Sequence, residues 1–139
     1  FRARDSMGDA GELLRIAGGA DLAALTAFIA QAAARRTPVL IDDVPSALCA
    51  VLANRLAPGT DGYVVAANTV PERTYPRLLQ LLGVSALDAH RIGLGSGAGA
   101  MLTVPAIRAA ARLVDDAEQY RDASERSEHA IDAWDSELL

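Results

Sequence analysis

The chain has 139 residues, enough for one domain or a piece of a larger one, and its 51% hydrophobic content excludes disorder along the whole length. Net charge is −5 but unevenly spread: residues 1–114 carry 11 Arg against 9 acids, whereas residues 115–139 carry 2 Arg against 9 acids. The body has no basic stripe for nucleic acid, and the absence of lysine removes Schiff-base and lysine general-base chemistry.

In chain order, "GELLRIAGG" predicts a short helix closed by Gly18 and Gly19. "DLAALTAFIAQAAARR" predicts a second, N-capped by Asp21 and ending in the cations Arg35 and Arg36. Leu22, Leu25, Ile29 and Ala32 share one face, but the helix is apolar almost all round and is expected to be covered on more than one side. "PVLIDD" has the look of a buried parallel strand ending in two acids. A helix over "PSALCAVLANRLAPG" follows, started by Pro45-Ser46 and stopped by Pro58-Gly59. "GYVVAANT" reads as one further buried strand and "PERTYPRLLQLLG" as a helix with Pro76 near its start. "VSALDAHRIGLG" leads into the glycine run, and a long helical pattern opens at Val104 with Pro105 in its first turn. The acidic residues 115–139 extend that helix as a solvated arm or fray.

Strands alternating with helices predict an α/β fold: a three-layer, Rossmann-like parallel sheet flanked by helices, with an acidic helical extension. The expected division is an α/β domain over 1–114 and the tail over 115–139. Ligands of such sheets bind beyond the carboxyl ends of the strands. That rim offers Asp42 and Asp43 after the first strand, Asn68, Thr69 and Glu72 after the second, and the run "IGLGSGAGAM". Gly95, Gly97 and Ala100 fit the letters of a dinucleotide fingerprint but lie late in the chain, away from a first strand, and without lysine no Walker loop exists. A glycine-rich turn before a helix can present amides to an anion, or can merely permit a tight turn and close packing. Asp42-Asp43 suit a metal or a ribose, or are an ordinary solvated strand end. His90 and His129 lack metal-ligand spacing, and Cys49 sits in an apolar helical pattern that suits a buried, inert thiol.

The phrases "LLRIAGGADLAALTAFIAQAAARRTPVLIDD", "ALCAVLANRLAPG", "YVVAANT", "RLLQLLGV", "RIGLGSGAGAM" and "AARLV", in that order, resemble the nicotinate-nucleotide–dimethylbenzimidazole phosphoribosyltransferases of cobalamin synthesis. The resemblance runs from about residue 10 to residue 114 and corresponds to the C-terminal half of such an enzyme. It implies transfer of ribose phosphate from nicotinate mononucleotide to a benzimidazole, with no cofactor and no metal. In the family's Gly-Glu-Gly-Ser-Gly loop the carboxylate is the general base; here Leu94 stands at that position. Arg91, Ile92, Gly93, Gly95, Ser96 and Gly97 would line the pocket. Asp42 matches the family's Asp-Gly after the first strand, although Asp43 replaces the glycine. In "AANTVPERTYP", Asn68 takes the place of a histidine and Glu72 matches a glutamate. The resemblance also implies a homo-oligomer or a complementary N-terminal half, since the family's Gly-Asn-Thr-Thr region lies upstream.

Three readings follow: a divergent enzyme portion impaired by Leu94, a non-catalytic relative that binds a nucleotide or corrinoid precursor, or a structural interaction domain. A start at Phe1 suggests a processed or truncated product. With no secretory signal or apolar run of membrane-helix length, neither a membrane nor nucleic acid is expected as a partner, and a cytoplasmic location is the default.

Overall fold

The structure, a computed structural model, describes residues 8–91 and 96–137, with side chains described over 8–87 and 96–121. It divides into two compact units, Phe1–Thr103 and Val104–Leu139. The first holds α1 (Ala10–Ala17), α2 (Ala20–Ala34), β1 (Val39–Ile41), α3 (Val44–Leu56), a 3-10 turn (Thr60–Tyr63), β2 (Val64–Ala66), β3 (Asn68–Thr69), α4 (Thr74–Leu82) and β4 (Asp88–Arg91). It also contains the start of α5 (Ala98–Glu137), whose remainder makes up the second unit.

The strands pair in parallel, as the alternation of elements predicts, in two small two-stranded sheets, β1-β2 and β3-β4. Val39, Leu40 and Ile41 of β1 face Val64, Val65 and Ala66 of β2, and β3 runs parallel to β4. The stretch expected as one strand over "GYVVAANT" is instead a 3-10 turn followed by two short strands on either side of Ala67. The reason is a change of partner: the Ala67 amide donates to the Ile41 carbonyl at 2.9 Å, while the Ala66 carbonyl accepts from Leu87 at 2.9 Å. The carbonyl and the amide of the one peptide group joining Ala66 to Ala67 thus bond to opposite sides, and the 64–69 segment lies between β1 and β4.

The alanine-rich composition has a direct packing consequence. Ala47, Ala50 and Ala53 on α3 and Ala32 and Ala33 on α2 are buried, so two helix backbones approach closely where larger side chains would hold them apart. Ile29, Ile41, Val64, Tyr75, Leu78, Leu79 and Leu82 complete the core around these small residues. Among the described residues, nothing covers the outward face of the second helix. Phe28 is 60% exposed, and Ala24, Ala27 and Gln31 beside it face outward.

Helix boundaries differ from expectation at two places. Gly19, not Asp21, is the N-cap of α2, and Asp21 lies in the first turn, where its charge favours the positive end of the helix. α5 begins at Ala98, six residues before Val104, which leaves Pro105 inside the helix and not in its first turn. Proline has no N–H to return to the Met101 carbonyl, so this is a costly place for it, and the helix start must be held by something outside the local sequence.

Candidate functional site

Asp42 and Asp43 follow β1 directly, and the structure gives them separate tasks. Asp43 caps α3: its Oδ1 accepts from the Ser46 amide at 2.8 Å, while the Asp43 amide donates to Ser46 Oγ at 3.3 Å. Such a reciprocal pair satisfies two donors that a helix start leaves over. Asp42 turns the other way and is only 4% exposed. Its Oδ2 accepts from the amides of Gly99 at 3.0 Å and Ala100 at 3.3 Å, in the first turn of α5. The two acids therefore do not form a paired metal or ribose site. Among the described residues no group of three or more His, Cys, Asp or Glu could hold a metal.

Asn68, the first residue of β3 and two residues beyond the end of β2, is fully buried, and its Nδ2 donates to the Thr69 carbonyl at 3.2 Å. Its side chain lies against the Gly99 backbone so closely that a Cβ at residue 99 would stand 2.7 Å from Asn68 Cγ and 3.0 Å from Nδ2. Gly99 thus has no room for a side chain. The turn before it carries two successive left-handed residues, Ser96 at φ 53° and Gly97 at φ 82°. The Gly97 carbonyl accepts from Met101 at 2.9 Å, and Thr103 Oγ1 donates to the Gly99 carbonyl at 3.0 Å. Part of the glycine pattern is accordingly a device for turning and for close packing.

Tyr75 was not anticipated from sequence. It is 1% exposed, and its hydroxyl donates to the Ile41 carbonyl at 3.4 Å, one residue before Asp42. Burial, reinforced by the charges of Asp42 and Asp43, pushes its pKa up to about 12, so it remains a neutral donor at physiological pH. A tyrosine followed by the helical pattern "PRLLQLL" was the available signal, but it reads as ordinary core.

The other candidates disperse. Glu72 is exposed in the turn leading into α4, where its backbone carbonyl accepts from Tyr75 at 3.1 Å. Ser96 is exposed. Arg91 ends β4, but its side chain lies outside the described residues, as do Ile92, Gly93, Leu94 and Gly95 and the side chains of His90 and His129. Cys49 is buried in α3; its thiol donates to the Leu22 carbonyl at 3.6 Å, and burial pushes its pKa up, away from a reactive thiolate. The structure thus brings together Asp42, Asn68 and the start of α5 at the carboxyl ends of the strands, with the glycine run leading into that point.

Residues 2–124 match the family described as Phosphoribosyltransferase. The chain belongs to that phosphoribosyltransferase family. A relative from Streptomyces avermitilis named nicotinate-nucleotide–dimethylbenzimidazole phosphoribosyltransferase is 42% identical over 112 residues, covering 81% of this chain and 30% of its own length. One of the same name from Corynebacterium efficiens is 38% identical over 137 residues, covering 98% of this chain and 37% of its own length. The crystal structure of the similarly named enzyme from Thermus thermophilus superposes with a TM-score of 0.73 at 31% identity, covering 78% of this chain and 33% of that one. The resemblance drawn from the sequence phrases is therefore correct, and the α/β phosphoribosyltransferase fold is shared. This chain spans about a third of the length of the curated relatives it matches. Among the described residues of this phosphoribosyltransferase relative, no helix is long and apolar enough to cross a membrane.

Proposed function

We propose that the chain carries the glycine-rim portion of a phosphoribosyltransferase pocket and binds nicotinate mononucleotide or a benzimidazole-type base, with little catalysis of its own. The observation that carries this reading is the convergence of Asp42 and Asn68, from just beyond the carboxyl ends of the paired strands β1 and β2, on the helix start that the glycine run enters. The family resemblance assigns ligand contact to Arg91, Ile92, Gly93, Gly95, Ser96, Gly97, Asp42, Asn68 and Glu72; of these, Asp42 and Asn68 are buried against the helix start.

The reaction named by the relatives moves ribose phosphate from nicotinate mononucleotide to dimethylbenzimidazole. One ring nitrogen of the base attacks the anomeric carbon, nicotinate leaves, and the proton on the other ring nitrogen must be removed. Leu94 has no group that can accept it, and loss of a positioned general base costs about 10²–10⁴-fold. The chain then serves as a binding relative or as the impaired portion of a two-part enzyme. Residues 1–114 form the nucleotide-facing domain of a three-layer, Rossmann-like arrangement, completed by a second copy or a complementary N-terminal half. Residues 115–139 form an acidic helical tail, and the working location is the cytoplasm.

Calorimetric titration of the purified chain with nicotinate mononucleotide tests this. Saturable binding that Arg91→Ala abolishes is the expected result, after which Leu94→Glu should raise transfer to dimethylbenzimidazole in a reconstituted pair. Absence of binding at millimolar nucleotide would overturn the pocket reading.

A further inference from the structure

A helix start leaves its first amides without partners in the helix and carries partial positive charge, which favours an anion. In α5, opened by Ala98, Gly99 and Ala100 are the second and third residues, whose amides a capping side chain ordinarily takes. Gly97, just before the helix, has no side chain to offer. The acceptor comes instead from Asp42, 57 residues earlier in the chain, whose single Oδ2 receives both amides.

We propose that Asp42 is a positioning residue: its carboxylate is the built-in anion of the α5 start, fixing that start against β1 and keeping a ligand's phosphate off the Gly99 and Ala100 amides. A carboxylate 4% exposed needs such donors, because burying it unpaired is strongly unfavourable. A phosphate could reach these amides only by displacing a covalently tethered anion from its own two hydrogen bonds. Asn68 adds a second restraint by packing on the Gly99 backbone, so the helix start cannot slide to share its amides. The glycine run is thereby attached at one end to β4 and at the other to a fixed residue. Its contribution to a nucleotide pocket rests on the proposed function above; the anchoring by Asp42 does not. The phosphate of a bound nucleotide must then be met by groups other than the α5 amides.

The test is amide exchange and chemical-shift titration on the ¹⁵N-labelled full chain. In the unmodified protein the Gly99 and Ala100 amides should be protected and should not shift as inorganic phosphate is added. Asp42→Ala should speed their exchange about tenfold or more, the scale of a lost charged hydrogen bond. In that variant added phosphate should shift both signals saturably and restore protection, which a merely structural defect would not produce. Asp42→Asn retains an acceptor oxygen without the charge and should give an intermediate exchange rate, so it decides the matter if Asp42→Ala does not fold. Saturable phosphate shifts at these amides in the unmodified protein, or unchanged exchange in Asp42→Asn and Asp42→Ala, would overturn the proposal. Exchange is read without nucleotide, so the role of Asp42 is decided whether or not nicotinate mononucleotide binds.

Discussion

Replacing Gly99 by alanine inserts one methyl group at the most crowded point of the strand ends. The new Cβ would lie 2.7 Å from Asn68 Cγ and 3.0 Å from Nδ2, where carbon atoms rest about 3.5–4.0 Å apart. Relief requires a displacement of about 1 Å. Asn68 is fully buried and cannot swing into solvent, and moving the helix start stretches the 3.0 Å bond from Gly99 to Asp42. Overpacking of this kind costs about 1–3 kcal/mol, offset by no more than about 1 kcal/mol from alanine's better helix propensity. With the Asp42 bonds weakened as well, we expect a net loss of about 2 kcal/mol, or a fall in Tm of about 6–8 °C for a chain of this size. Urea denaturation of Gly99→Ala, Asn68→Ala and the double variant measures it. Gly99→Ala should cost at least about 1 kcal/mol less once Asn68 is truncated, because the obstructing side chain has gone. Equal costs in both backgrounds, or a stabilised Gly99→Ala, would refute the close-packing argument.

Arg36 has φ 56° at the end of α2, where its amide and that of Thr37 close the helix on Ala33 and Ala32. Arg36→Gly should therefore stabilise by about 0.5–1 kcal/mol, read as a higher urea midpoint with unchanged slope. Asp43→Ala removes the carboxylate acceptor of the α3 cap, leaving the Asp43 amide on Ser46 Oγ, and should cost about 1 kcal/mol, with Asp43→Ser recovering most of it. The Tyr75 pKa is raised in the folded state from 10 to about 12, so its contribution to stability is full below about pH 10 and is lost as pH rises towards 12. Ultraviolet titration should show a late tyrosinate step that Tyr75→Phe removes, and that variant should lose less stability over the same alkaline range.

The alternation of strands and helices was legible because aliphatic runs such as "PVLI" and "YVVA" are short, continuous and bounded by turn residues. The division of the middle strand was not legible, since it depends on Ala66 and Ala67 bonding to different neighbours. The origin of α5 was misread for a similar reason. Proline rules favour a start beside Pro105, but the cap comes from Asp42, and no local window contains both. Asp42, Asn68 and the glycines were found as a group because they sit at strand ends. What they do for one another needed coordinates. The Asp43–Ser46 spacing of a capping box was present in the sequence but not read from it.

The outward face of α2 bears on how the protein behaves in concentrated solution. Between Asp21 and Arg35 that helix has no ionisable side chain, and Phe28 stands 60% exposed among alanines. The net charge of −5 arises from residues 115–139, since the rest of the chain carries slightly more Arg than acid. Like-charge repulsion, the usual guard against colloidal association, is therefore not built into this face. Phe28 thus offers apolar area on a face that carries no charge of its own.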